Sequence, residues 1–154
     1  MSVAEARTVN KAVTIRDTRP TTLVELDRFL EEAEEAINDN AVRSFCWYIA
    51  GNVATGTDLM QTYNDIQHDL LPLDVSMHVE TAPVGATLII DINDDGSTIF
   101  STRAEIDAAA TEQDENHIFT QTEIADGSDI SFDVDQVGST TPGADLTVCL
   151  YGRT

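Results

Sequence analysis

The residues best suited by type and spacing to do chemistry are Asp91-Ile92-Asn93-Asp94-Asp95-Gly96. They match the first, third, fifth and sixth positions of a calcium-binding loop, where alternating oxygen ligands and a sharp glycine turn wrap a hard cation. The match then stops. The twelfth position is Thr102 in place of a bidentate glutamate, and the STIFST that follows reads as a strand where such a loop needs a helix. A hairpin turn is therefore expected, with no metal or cofactor assigned. His68, His78 and His117 fall at no ligand spacing, and no HExxH, GxSxG or Walker-type loop occurs, so they read as surface or satisfied core histidines. Acid pairs carry no information among 28 Asp and Glu without geometry. Trp47, Tyr48, Tyr63 and Tyr151 have the apolar body and polar tip that suit a sugar-binding face. Trp47 lies in an alternating apolar run, however, and core packing is the expectation. Cys46 and Cys149 both fall in expected strands without CxxC or zinc spacing. A bridge between distant strands is open to them, but the reading favours buried or partly buried free thiols. No enzyme signal survives.

Two stretches must position most of these residues, and each reads as strand, turn, strand. In residues 82–100 (APVGATLIIDINDDGSTIF), Leu88, Ile90 and Ile92 point one way and Thr87, Ile89 and Asp91 the other, before the turn at Gly96 returns the chain into Ile99 and Phe100. In residues 130–152 (ISFDVDQVGSTTPGADLTVCLYG), Ile130, Phe132 and Val134 alternate with Ser131, Asp133 and Asp135. After the Gly138 to Gly143 loop, Leu146, Val148 and Leu150 alternate with Thr147, Cys149 and Tyr151. Both stretches are expected to be half-buried antiparallel strands. Further strands are expected at residues 44–50 (Phe45, Trp47, Ile49), 71–80 (Leu73, Val75, Met77, Val79) and 117–124.

The N-terminal part differs. In residues 1–20, Arg7, Lys11, Arg16 and Arg19 outnumber Glu5 and Asp17, and Val9, Val13 and Ile15 mark an extended piece ending at Pro20. This reads as a basic arm that docks onto an acidic protein surface, or as a disordered tail. Thr22 and Glu25 form a capping box, after which Leu23, Leu26, Leu30, Ala33 and Ile37 recur at helical spacing, so a helix is expected within residues 21–40. Its stripe either packs on its own β domain, residues 44–154, or associates with copies of itself, since about two heptads do not make a stable free coiled coil. The candidate partner-binding residues are Arg7, Lys11, Arg16, Arg19, Leu23, Leu26, Leu30 and Ile37.

Charge is extreme and uneven. The chain carries a formal −20, and residues 44–154 hold only Arg103 and Arg153 against nineteen acids. Such a surface repels nucleic acid and anionic lipid, so neither is an expected partner, and no apolar run approaches the roughly 18 residues of a membrane span. A single lysine amid abundant acids is the pattern of a protein that folds in concentrated salt, where the screening length falls to about 3 Å at 1 M, so a haloarchaeal source is expected, with an acidic mesophilic protein as the alternative.

The wording PVGATLIIDIN, the turn, TIF and a distant DVDQVGSTTPGADLTV resembles a small β-sandwich domain recurring in structural proteins of tailed viruses, including tail and head fibres. The resemblance covers residues 44–151 and is most specific at 83–93 and 133–148. Relatives place Lys or Asn where this chain has Asp94 and Asp95, and lack its N-terminal segment. It implies an antiparallel jelly-roll-like sandwich, and joined to the strands, arm and helix read above this gives a mainly β fold of about eight strands with an N-terminal arm and one helix. The implied role is a non-enzymatic virion protein, a capsid decoration or turret subunit on the head surface, assembled in the host cytoplasm. Its expected partners are the major capsid protein or other virion proteins, and the helix stripe adds copies of itself, with a trimer favoured. A tail-fibre or tail-tip adhesin is the alternative.

Overall fold

Where apolar and polar residues alternate, this chain pairs into antiparallel strands. The computed structural model describes residues 23–38, 41–114 and 116–154. In chain order the elements are α1 (Leu23–Asn38), β1 (Val42–Asn52), β2 (Gly56–Tyr63), β3 (Leu71–Thr81), β4 (Leu88–Asp94), β5 (Ser97–Thr98), β6 (Phe100–Thr102), β7 (Ala104–Ile106), β8 (Ile118–Phe119), β9 (Asp129–Gln136) and β10 (Ala144–Arg153). The strands occupy a unit of their own, Val42–Thr154. One sheet has the order β1-β10-β3 and a second β2-β9-β4-β5, with β7 also on β4, while β6 and β8 make a small ribbon.

The β4–β5 hairpin shows how local chemistry sets topology. Asp94 pairs with Ser97 across a two-residue turn, and both turn residues have positive φ, 48° at Asp95 and 78° at Gly96. That twist matches the flanking strands, and aspartate and glycine are the residues that tolerate it. The Gly138 to Gly143 loop folds back so that Val84 donates to the Thr141 carbonyl at 2.8 Å. A Cβ at Gly138 would lie 1.9 Å from that same carbonyl oxygen, so this close approach requires glycine.

Both main sheets feed one apolar core. Trp47, Val75, Met77, Val79, Leu146, Val148 and Leu150 from the first cluster with Leu88, Ile90, Ile92, Ile130, Phe132 and Val134 from the second. The Trp47 ring stacks on Phe132 at 5.7 Å and 13°. Phe132 is fully buried, and truncating such a side chain to alanine costs about 3 to 5 kcal/mol.

Several expectations need correction. Among the described residues there are ten strands where about eight were expected. The strand expected over 117–124 is only the two residues Ile118–Phe119, because Ile124 leaves it to bridge Leu70. The half-buried reading of β4 and β9 fails on their polar faces: Asp91, Asn93, Ser131 and Asp133 are buried too. Finally, Cys46 and Cys149 are not free thiols. They sit directly opposite in the β1–β10 register and are disulfide-bonded, with Cα atoms 4.1 Å apart. Their separation of 103 residues carries no information on strand register, which alone brings them together.

Candidate functional site

The calcium-like motif resolves into an ionic clamp on the polar face of β4 and β9. Asp91 lies opposite Asp133, and Asn93 opposite Ser131, which sets two carboxylates side by side in a covered layer. Like charges so placed are destabilising unless compensated. Arg103 supplies the compensation: its Nε donates to Asp91 Oδ2 at 2.8 Å and lies 2.7 Å from Asp135 Oδ2. Thr98 donates to Asp91 Oδ1 at 2.5 Å, and Asp133 accepts from the Asn93 amide at 2.9 Å and the Asp58 backbone at 2.6 Å. Every oxygen of Asp91 and Asp133 thus has a donor. The hydrogen bond to Asp91, ahead of all other causes, raises the pKa of Arg103. Burial, ahead of the neighbouring carboxylates, raises that of Asp135. Asp95 instead faces β9, where its Oδ1 accepts from the Asp129 backbone at 3.0 Å. The motif residues are therefore divided between a clamp and a turn, and among the described residues no group of three or more His, Cys, Asp or Glu is arranged to hold a metal ion.

The other candidates separate cleanly. His117 is nearly buried, with Nε2 3.3 Å from Asp74 Oδ1 and its ring edge-on to Phe100 and Phe119, while His78 is half-exposed beside Glu80. Trp47 belongs to the core, as the alternation predicts, whereas Tyr48 and Tyr63 are exposed. Tyr48 donates to Asp145 Oδ1 at 3.1 Å, and this bond raises its pKa. On the outward face of the first sheet the pairs Ser44–Tyr151, Cys46–Cys149 and Tyr48–Thr147 follow in register. Two tyrosines consequently flank the disulfide on one solvent-facing surface.

Of the residues assigned to partner binding, Arg7, Lys11, Arg16 and Arg19 lie outside the described residues. Leu23, Leu26, Leu30 and Ile37 are on α1, where they are 79, 38, 49 and 70% exposed. Around them the helix carries an Arg28–Glu32 ion pair at 3.8 Å and no basic residue in its last turn. Sequence reading missed Arg103 and β2. Arg103 had one signal, being one of two arginines in an acid-rich stretch. β2 had little, because its register shifts between Gly56 and Met60 and the alternation breaks at Leu59-Met60.

Between β1 and β2, each the end strand of its sheet, lies a groove of about 490 Å³ lined by Phe45, Cys46, Trp47, Met60, Gln61 and Thr62. Compared with known protein families and with curated proteins, the chain matches none. The arrangement offers surfaces for association: a helix stripe, a strand edge over an apolar groove and a tyrosine-flanked face. The carboxylates of Asp91 and Asp133 are satisfied internally, whereas the buried Oδ1 atoms of Asp94 and Asp129 have no hydrogen-bond partner.

Proposed function

We propose that this chain is a virion structural protein, a capsid decoration or turret subunit on the head surface of a halophilic tailed virus. In this reading residues 42–154 form a jelly-roll-like sandwich that is displayed, and the arm and helix anchor it. The observation that carries the reading is the division of labour along the chain. The strands complete a core of their own within residues 42–154, while α1 carries a separate apolar stripe at helical spacing, which this reading assigns to contacts with other subunits. Homo-oligomerisation, with a trimer favoured, buries that stripe under closed symmetry. Arg7, Lys11, Arg16 and Arg19 then meet acidic protein surfaces, the major capsid protein or a neighbouring copy, and many identical weak contacts add through multivalency.

The remaining features support this role. Uncompensated acids keep a displayed surface hydrated in strong salt and away from nucleic acid and anionic membranes. A disulfide suits a protein that ends on a particle exterior, since such bonds persist outside reducing cytoplasm and on virion surfaces. No step of catalysis is assigned. The second reading, a tail-fibre or tail-tip adhesin, draws on Tyr48 and Tyr151 flanking the bridge, which present rings to a host glycan. Copy number separates the two. Quantitative gel analysis of purified particles yields scores to hundreds of copies for a head protein, and only a few for a fibre.

A further inference from the structure

Among the described residues, no strand pairs with the outer edge of β1. β1 ends its sheet, runs eleven residues, keeps unbroken register with β10 from Val42 to Ile49, and carries Arg43 as its one charged residue. Long edge strands without charge, proline or bulge are templates for an added strand. The end strand of the facing sheet is protected by contrast, since β2 is irregular between Gly56 and Met60 and Asp58 takes a φ of 49°. Beneath the β1 edge the groove exposes the partly buried side chains of Phe45 and Met60 beside Trp47. The edge therefore offers backbone hydrogen bonds and an apolar bed together.

We propose that residues 9–16 of a second copy's N-terminal arm add to β1 as a further strand, with Val13 and Ile15 seated in this groove. Three observations select that occupant. The segment VNKAVTIR alternates Val13 and Ile15 with Ala12, Thr14 and Arg16, and β-branched residues of this kind favour strands. Its charge is complementary, because residues 1–20 hold four basic and two acidic side chains while residues 42–154 hold three arginines against nineteen acids, a formal −16. Its length matches, since the eight residues 9–16 equal the eight of β1, Val42 to Ile49, that keep unbroken register with β10. In molar salt the charge term is screened beyond contact distance, so the strand pairing and the two apolar side chains carry affinity and the complementary charges act only where they touch. Exchange between copies fits the proposed role of the helix that follows, whose apolar stripe is read as a contact with another subunit. The inference rests on the reading of the arm as a docking segment, and not on where in a particle the protein sits.

Hydrogen exchange with mass analysis on the full chain in molar potassium chloride tests it, alongside light scattering. An added strand gives partners to about half of β1's amides, those facing away from β10. In the wild type these amides should exchange about ten-fold more slowly in concentrated than in dilute protein, in step with the loss of oligomer mass on dilution. In a Val13→Asp/Ile15→Asp variant they should exchange fast at every concentration, with β3 and β10 unchanged. Equal β1 exchange in wild type and folded variant overturns the proposal, as does protection in a monomer, which identifies the chain's own arm as the occupant. Should the variant not fold, wild-type dilution still decides: β1 exchange that ignores concentration rejects the second copy. These solution results leave the copy-number test of the virion reading independent.

Discussion

Replacing both Cys46 and Cys149 by serine should remove about 4.7 kcal/mol of stability, the chain-entropy value for a loop of roughly 100 residues. The loop here is set by a separation of 103 residues, so nearly the whole β unit lies between the joined positions. Little else changes at the site. Cys46 is exposed and Cys149 only partly buried on the outward face, so serine hydroxyls meet water and add no burial penalty. The strands keep their apolar face, because Phe45, Trp47, Leu146 and Val148 are untouched. For a unit of this size each kcal/mol moves the melting temperature by about 4 °C, so a drop near ~20 °C is expected. Urea titration in molar salt measures the free energy directly, and wild type treated with reductant should coincide with the variant. The urea dependence should also steepen slightly as the unfolded chain loses its tie and exposes more surface. A loss under about 1 kcal/mol would refute the entropic reasoning. Two titratable thiols in unreduced, unfolded wild type would refute the bridge itself.

Other perturbations probe the clamp, the surface and the helix. Arg103→Met should cost about 2 to 3 kcal/mol by urea titration, because it leaves Asp91 buried beside Asp133, and less than a fully buried pair would because water reaches the guanidinium. Burial raises the folded-state pKa of Asp135 above its ordinary 3.8, so the stability its proton contributes is fully present below 3.8 and lost as pH rises through the raised value. Asp135→Asn should erase that part of the pH dependence, and an unchanged profile between neutral pH and about pH 4 would contradict the sign. Melting temperature should fall as salt is lowered from molar to about 0.1 M, where screening reaches about 10 Å. An unchanged melting temperature would contradict the salt-adapted reading of the nineteen acids. Leu26→Gln with Leu30→Gln should turn an oligomer into a folded monomer by light scattering, each leucine contributing about 1.5 to 3 kcal/mol when fully buried between subunits. An oligomer that survives the pair would remove the stripe from the interface.

How much of this was legible in the sequence depended on whether the determinant was local. The β4–β5 hairpin was readable because Asp95-Gly96 is flanked by alternation and the turn chemistry is contained in four residues. The helix was readable from its stripe, and its bounds, Leu23–Asn38, fall inside the expected 21–40, while the expected cap residue Thr22 lies outside the described residues. The clamp was not readable. Alternation predicts that Asp91 and Asp133 face water, and only the position of Arg103, Thr98 and Asp58 around them shows that the layer is covered. Likewise the disulfide follows from a register between strands at opposite ends of the β unit, which spacing along the chain does not encode. β2 escaped because its irregular register puts Leu59 and Met60 next to each other and destroys the period on which strand reading depends.

The central claim concerns position on a particle, and the direct measurement is electron microscopy of intact particles labelled with an antibody raised against residues 42–154. Head-surface display predicts label distributed over the whole head at many symmetry-related points, with tails bare. Label confined to the tail tip, or absent from purified particles, would contradict it.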